Sequence, residues 1–176
     1  RLGPEAHDST MRFRALYVPL LTAGLLTTLA VGPACALTPK RLPELDRRFY
    51  YNLPTPSDQS AFLRLRKTEE RQAFLTDKGL WGQWLELSEK ERDAATAGDV
   101  HIGFREFALT MAWGLPADTK LRQEPSRTVE FHTFIRCTSG PKIGQYVRNN
   151  LDCDGTSSET LVAVENAVVT EIKYVN

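Results

Sequence analysis

The sequence predicts an α+β fold in which short capped helices come first and an antiparallel sheet follows. Three observations indicate this order. Helix-capping residues and glycine stops frame short apolar runs between residues 57 and 98. Apolar side chains then repeat at helical spacing over residues 104–112, and beyond residue 127 the repeat changes to the alternation of strands. Helices followed by strands imply a sheet with helices on one face.

Composition excludes several classes of protein. The chain has 176 residues, 22 of them Lys or Arg and 22 Asp or Glu, and this length suits one core with extensions rather than two large domains. Because the charges balance and no basic stripe is interleaved with aromatic residues, we expect no nucleic-acid partner. A hydrophobic content of 41% with 25% charged residues is typical of a globular protein, not of a disordered or polytopic membrane chain.

The first 36 residues indicate the compartment. Residues 1–10 are a polar upstream extension, and residues 11–36 have the order of a signal peptide. Arg12 and Arg14 precede an uncharged stretch over residues 15–31, and small residues follow at 34–36. Its strongly apolar part, residues 20–31, is shorter than the ~20 residues that span a bilayer. We therefore predict cleavage and export to the periplasm or the outer membrane, rather than a retained anchor or a buried core helix.

Two cleavages fit these residues. With Ala34 and Ala36 at the −3 and −1 positions, the mature protein is soluble and begins at Leu37. In the other case Cys35 becomes the lipidated first residue of a lipoprotein, although Gly32 stands where a lipobox usually has Leu or Val. Either way, the chain meets a membrane only through its signal or a lipid anchor.

The remaining cysteines form an even pair after either cleavage. In an oxidising periplasm we expect Cys137 and Cys153 to form a disulfide, with two free buried thiols as the alternative. The bond would close a loop with fifteen intervening residues, which contributes about 3 kcal/mol on the chain-entropy model. No metal site or cofactor is predicted, because the sequence has no CxxC or HxxxH spacing.

Residues 37–56 contain four prolines and predict an extended linker or a disordered segment. Residues 57–98 predict a helical segment whose apolar side includes Trp81 and Trp84, as core rather than as a ligand cage. Three helices are predicted within it. The first is capped by Ser57 or Asp58 and ends at Leu65, and the second is capped by Thr68 and stops at Gly79. The third begins at the Ser88 capping box and ends at Gly98.

Within residues 99–116 the sequence predicts a helix. Its apolar face consists of Phe104, Phe107, Ala108, Met111 and Ala112. It ends at Gly114, and Pro116 prevents continuation. Residues 128–137 predict a strand, and residues 161–164 and 168–175 predict a hairpin around Asn166.

The C-terminal part, residues 99–176, resembles the small outer-membrane lipoproteins of the SmpA/OmlA type, which have the BamE-like fold. In that family a helix opens with an Ile/Val-x-x-Gly-Met/Phe-like segment and closes on Gly-x-Pro. A strand and a hairpin that contains Phe-x-Asn/Asp-Gly follow the helix. This chain departs from the pattern in a long insert that contains both cysteines and in Ala167, which stands where Gly is usual. The residues that carry the resemblance are Ile102, Gly103, Phe104, Gly114, Pro116 and Asn166.

The resemblance implies helices on a three-stranded antiparallel sheet and a scaffolding role in outer-membrane assembly through contacts with a protein partner of the cell envelope. The same layout is similar to that of β-lactamase inhibitor proteins, so a soluble periplasmic binding or inhibitor module is the alternative. We expect no enzyme. A nucleophile site of His132, Asp152 and Cys153 would need the thiolate that a disulfide removes.

Overall fold

The computed structural model describes residues 37–175, so the predicted upstream extension, signal peptide and Cys35 lie outside the described residues. No helix in the described part is long and apolar enough to cross a membrane.

The fold is α+β. The helices are α1 (Glu44–Asn52), α2 (Pro56–Phe62), α3 (Thr68–Asp77), α4 (Leu80–Glu86), α5 (Glu89–Ala97) and α6 (Glu106–Trp113), and the strands are β1 (Asp118–Glu124), β2 (Arg127–Cys137), β3 (Tyr146–Val147), β4 (Ser157–Glu165) and β5 (Val168–Val175).

The sheet is antiparallel, with the strand order β1-β2-β4-β5, and β3 pairs with the end of β2. The predicted strand β2 and the predicted hairpin of β4 and β5 are confirmed, but the expected count of three strands is wrong because β1 and β3 add to the sheet. Strand β1 reads Asp-Thr-Lys-Leu-Arg-Gln-Glu and lies at an edge. It therefore lacks the apolar alternation that marks half-buried strands, and backbone pairing with β2 holds it in place.

The hairpin turn consists of Asn166 and Ala167, which lie between the paired residues Glu165 and Val168. Both turn residues have a positive φ, 50° and 60°, as a type I′ turn requires. Asn tolerates this conformation, whereas Ala adopts it at a steric cost that the usual Gly avoids. The turn forms despite its weak sequence signal because the register of the long flanking strands determines where the chain reverses.

The predicted linker is wrong, because residues 44–52 form α1. The prolines lie at helix ends: Pro43 directly precedes α1 and Pro56 is the first residue of α2, where a missing N–H has no intrahelical role. The side chain of Phe49 is 0% exposed and contacts Trp81 and Trp84, with ring centroids 5.8 and 5.9 Å away. The tryptophan pair therefore belongs to the core, as predicted.

Several predicted helix boundaries are confirmed, but the first predicted helix ends at Phe62 rather than at Leu65. Ser88 and Glu91 form the capping box of α5, and Gly79 and Gly98 take the left-handed conformation that ends a helix. Two caps differ. Thr55, rather than Ser57 or Asp58, begins α2 by accepting a hydrogen bond from the Asp58 N–H. Thr68 is the first residue of α3 rather than its cap.

Helix α6 is buried on two sides. Ala108 and Met111 join the core that α1 to α5 also build, whereas Leu109 and Trp113 join a second core with the valines of β4 and β5. The sequence predicted a single apolar face, and that face packs on other helices instead of on the sheet. Because one core includes residues from both predicted segments, 57–98 and 99–176, the boundary between them is not a domain boundary.

Residues before α6 pair with the sheet. Gly103, with a φ of 90°, donates its N–H to the Val169 carbonyl at 2.7 Å, and the Val169 N–H donates to the Phe104 carbonyl at 2.8 Å. Glu91 accepts from the Arg105 N–H at 2.8 Å. Burial raises the pKa of Glu91, but the hydrogen bonds from Arg105 and Ser88 outweigh it and hold that pKa below its usual value. The start of α6 is thus attached to both β5 and α5.

Candidate binding groove

The predicted disulfide is confirmed: Cys137 and Cys153 are bonded, with their Cα atoms 5.3 Å apart. The loop between them contains β3 and packs closely against its own end. A Cβ added at Gly140 would lie 2.7 Å from the Asp154 carbonyl oxygen, and one at Gly155 would lie 2.6 Å from the Ser139 hydroxyl. Only glycine fits at either position, so the disulfide loop (residues 138–152) has a closely packed base.

This loop forms one wall of a groove of about 820 Å³. The opposite wall is α1 with the connection to α2, and the end of α6 lies between the two walls. The volume is within the range of about 300–1,000 Å³ that is typical of ligand sites. The groove therefore depends on segments that are close in space only after the disulfide loop has folded against the helices.

The groove is strongly cationic. A single carboxylate, Glu44, lines it among the described residues, and it pairs with Arg47 and Arg48. Because the whole chain has no net charge, the groove concentrates positive charge that composition does not reveal. The cationic side chains that line it are Lys40, Arg47, Arg48, Lys142 and Arg148.

Arg48 holds two helix ends together at the base of the groove. Its guanidinium donates to the Thr96 carbonyl of α5 at 2.7 Å and to the Met111 and Ala112 carbonyls of α6 at 3.1 and 2.9 Å. A cation at the C-terminus of a helix interacts favourably with the helix dipole. Burial, and secondly Arg47, lowers the pKa of Arg48, but an arginine remains charged in proteins. Arg48 is therefore mainly structural, and the more exposed cations are the ones that can meet a partner.

Asn52 also lines the groove, and its side chain is 5% exposed. Its amide nitrogen donates to the Arg48 and Thr110 carbonyls, both at 2.9 Å. Its Oδ1 and the Arg48 Nε are buried without a hydrogen-bond partner in the described part of the chain. Such unpaired atoms cost about 1–3 kcal/mol each, so stability alone does not favour this arrangement.

An aromatic stack joins the disulfide loop to the end of α6. Tyr146 of β3 stacks on Trp113 of α6, with ring centroids 5.0 Å apart and an interplanar angle of 16°. The Trp113 indole donates to the Gly98 carbonyl at 2.9 Å, which fixes its ring. Burial raises the pKa of Tyr146 to about 12. The disulfide loop is thereby held against α6 by packing as well as by the covalent bond.

No protein-family model, curated protein or solved structure matches this chain. The resemblance to SmpA/OmlA-type lipoproteins therefore stays a prediction. Of the residues that carry it, Gly114 ends α6 with a φ of 84° and lines the groove. Phe104 is buried, Ile102 is exposed, and Pro116 is half-buried after the helix. Gly103 and Asn166 occupy the positive-φ positions described above.

The nucleophile site considered from sequence is not assembled. Cys153 is in the disulfide with Cys137, which lies five residues after His132 on β2 and so on the opposite face of the sheet. His132 faces α6 instead, where its Nε2 lies 2.9 Å from the Glu106 Oε1.

Proposed function

We propose that this chain is a non-enzymatic protein of the cell envelope that binds a protein partner by holding an acidic, extended segment of that partner in the groove. The observation that carries the proposal is the excess of cations over carboxylates around a concave volume of about 820 Å³. A flat membrane surface would reach only the rim of such a groove. An extended acidic peptide can instead place its carboxylates beside the guanidinium groups along the walls, where paired hydrogen bonds form.

Two features support a location in the envelope. Disulfides persist in oxidising compartments such as the periplasm and are rare in the cytosol. The bond between Cys137 and Cys153 shapes the groove wall, so binding would depend on such a compartment. The signal-peptide pattern of residues 11–36 is consistent with it. A scaffolding role in outer-membrane assembly, as the family resemblance implies, is part of this proposal.

Reversing two groove charges, the half-buried Arg47 and the exposed Arg148, in the variant Arg47→Glu with Arg148→Glu is expected to weaken binding of a fluorescent poly-glutamate peptide about tenfold or more, because the close charge pairs are lost. Fluorescence anisotropy measures the affinity, and for the unmodified protein it should fall steadily as salt rises. The matched control, Lys120→Glu with Lys173→Glu, makes the same change of charge on the sheet.

Equal losses for the two double variants would show that the peptide senses only net charge, which would refute the groove as the site. Binding of phosphatidylglycerol vesicles without binding of the peptide would identify a lipid surface instead and would equally overturn the proposal. Near-ultraviolet circular dichroism checks that each variant keeps its fold.

A second candidate function rests on the face of the sheet opposite α6. Phe131, Thr133 and Leu161 lie there half-buried; Thr133 and Leu161 are direct cross-strand neighbours, and the Arg122 guanidinium lies 5.7 Å from the Phe131 ring centre. In β-lactamase inhibitor proteins, whose layout is similar, the sheet face binds an enzyme. If the chain is such a soluble periplasmic module, the variant Phe131→Ala with Leu161→Ala would no longer bind the envelope partner. The groove variant, Arg47→Glu with Arg148→Glu, would still bind it.

Lipidation distinguishes the two mature forms. If Cys35 is the anchor, a radioactive fatty acid is incorporated during expression in a bacterial host, and Cys35→Ser abolishes the label. The control Cys137→Ser with Cys153→Ser should keep the label, since those residues are not at the cleavage site. No incorporation in the unmodified chain would contradict the tethered form and favour the soluble module.

A further inference from the structure

A histidine and two carboxylates converge on the inner face of the sheet, at the start of α6. Glu130 and His132 are two residues apart on β2, so their side chains lie on the same face. Glu106 is the first residue of α6, which packs over that face. One ligand atom from each residue lies within 4.8 Å of the other two. We propose that these three residues bind a divalent metal ion of the Zn²⁺ class.

The distances suit a tetrahedral ion after small movements. Metal–ligand bonds of about 2.0–2.2 Å place the ligand atoms roughly 3.3–3.6 Å apart. The His132 Nε2 lies 2.9 Å from the Glu106 Oε1 and 4.0 Å from the Glu130 Oε2. One carboxylate must therefore withdraw and the other approach, each by about half an ångström. The side chains of Glu106 and Glu130 are 32% and 45% exposed and can rotate, whereas that of His132 is only 4% exposed and is fixed.

A third group orients the imidazole for this role. The His132 Nδ1 lies 2.9 Å from the Thr119 hydroxyl of β1. A hydroxyl can either donate or accept, so it can accept a hydrogen bond from the Nδ1–H when Nε2 binds an ion. Histidine ligands in metal sites have such a partner on the second nitrogen, which fixes the tautomer and the ring orientation. Without an ion, the two imidazole nitrogens keep these hydrogen bonds to Glu106 and Thr119, and the tautomer decides which atom donates in each.

Charge also favours an ion over a simple hydrogen-bonded array. One carboxylate would be enough to hold the Nε2 proton of a buried histidine, yet a second carboxylate lies 4.0 Å from the same nitrogen. Two carboxylates with a neutral imidazole balance the charge of a divalent cation, and this mixed donor set suits borderline ions such as Zn²⁺. Glu106 also lines a cleft of about 400 Å³ beside α4 and the β4–β5 turn, from which water can supply a fourth ligand.

Zn²⁺ binding to the full chain tests the proposal, in a Cys35→Ser background so that this thiol does not act as a ligand. Competition with a chromophoric chelator at pH 7 should give one Zn²⁺ per chain, and X-ray absorption should show one imidazole with oxygen donors. His132→Asn should abolish binding, and Glu130→Gln should lower the affinity at least about tenfold. The matched control is His101→Asn, an exposed histidine beside Phe104, which should leave the affinity unchanged.

Glu130→Gln keeps the test decisive if His132→Asn fails to fold, since Glu130 is substantially exposed. Zn²⁺ should raise the Tm of the unmodified chain by mass action and, at the same concentration, should raise that of Glu130→Gln less. The proposal is overturned if the unmodified chain binds no Zn²⁺, if Glu130→Gln binds it as tightly, or if His101→Asn loses it equally.

Discussion

Asp46→Ala is expected to lower the free energy of unfolding by about 3–5 kcal/mol, the usual cost of removing one partner from a buried ion pair. Arg71 of α3 is 4% exposed, and its Nε donates to the Asp46 Oδ2 of α1 at 2.7 Å. The guanidinium also donates to the Leu65 and Arg66 carbonyls and to the Thr68 hydroxyl. Without Asp46 the buried cation loses its only paired anion in the described part of the chain.

Urea unfolding followed by circular dichroism measures this loss. The control Asp93→Ala removes an exposed carboxylate from α5 and should change the stability by no more than about 0.5 kcal/mol. Replacing both partners, Asp46→Leu with Arg71→Met, should recover much of the loss, because no unpaired charge stays buried. A loss below about 1 kcal/mol for Asp46→Ala would show that water reaches Arg71 and compensates its charge.

Removing the disulfide by Cys137→Ser with Cys153→Ser is expected to cost about 3 kcal/mol of stability and to weaken peptide binding. The stability loss reflects the extra freedom of the unfolded chain, and the binding loss reflects release of the disulfide loop, which carries Lys142 and Arg148 into the groove. Chemical unfolding with and without reductant measures the first, and anisotropy with the acidic peptide measures the second.

Reductant should lower the stability of the unmodified protein to that of the double variant and leave the double variant unchanged. Thiol titration of the mature protein provides an independent check. Two reactive thiols without reductant would contradict the disulfide.

Local patterns predicted much of the fold. The Ser88 capping box and the glycine at position 98 identified α5, because caps act over a few residues. The alternation over residues 128–137 identified β2, and the even cysteine count identified the disulfide. Helix α1 was missed because a proline breaks a helix in its interior but begins one at its first turn, and spacing alone does not distinguish the two positions.

The candidate site required tertiary structure. The groove cations come from segments about one hundred residues apart, and each segment alone reads as an ordinary solvated surface. One local signal was available, the basic and aromatic run over residues 47–51, but it lay in the segment interpreted as a linker. The sequence separation of Glu106 and His132 matches no metal-binding motif, because one residue begins a helix and the other lies on a strand.

Helix α6 has only eight residues, about 12 Å of axis, yet its first residue approaches His132 and its last lines the groove. Because packing on two sides leaves it little room to bend, a slide along its axis would displace both ends together. A ligand that bound better to one position of α6 would therefore alter the affinity for a second ligand at the other end of the helix. The second ligand would change the affinity for the first by the same factor.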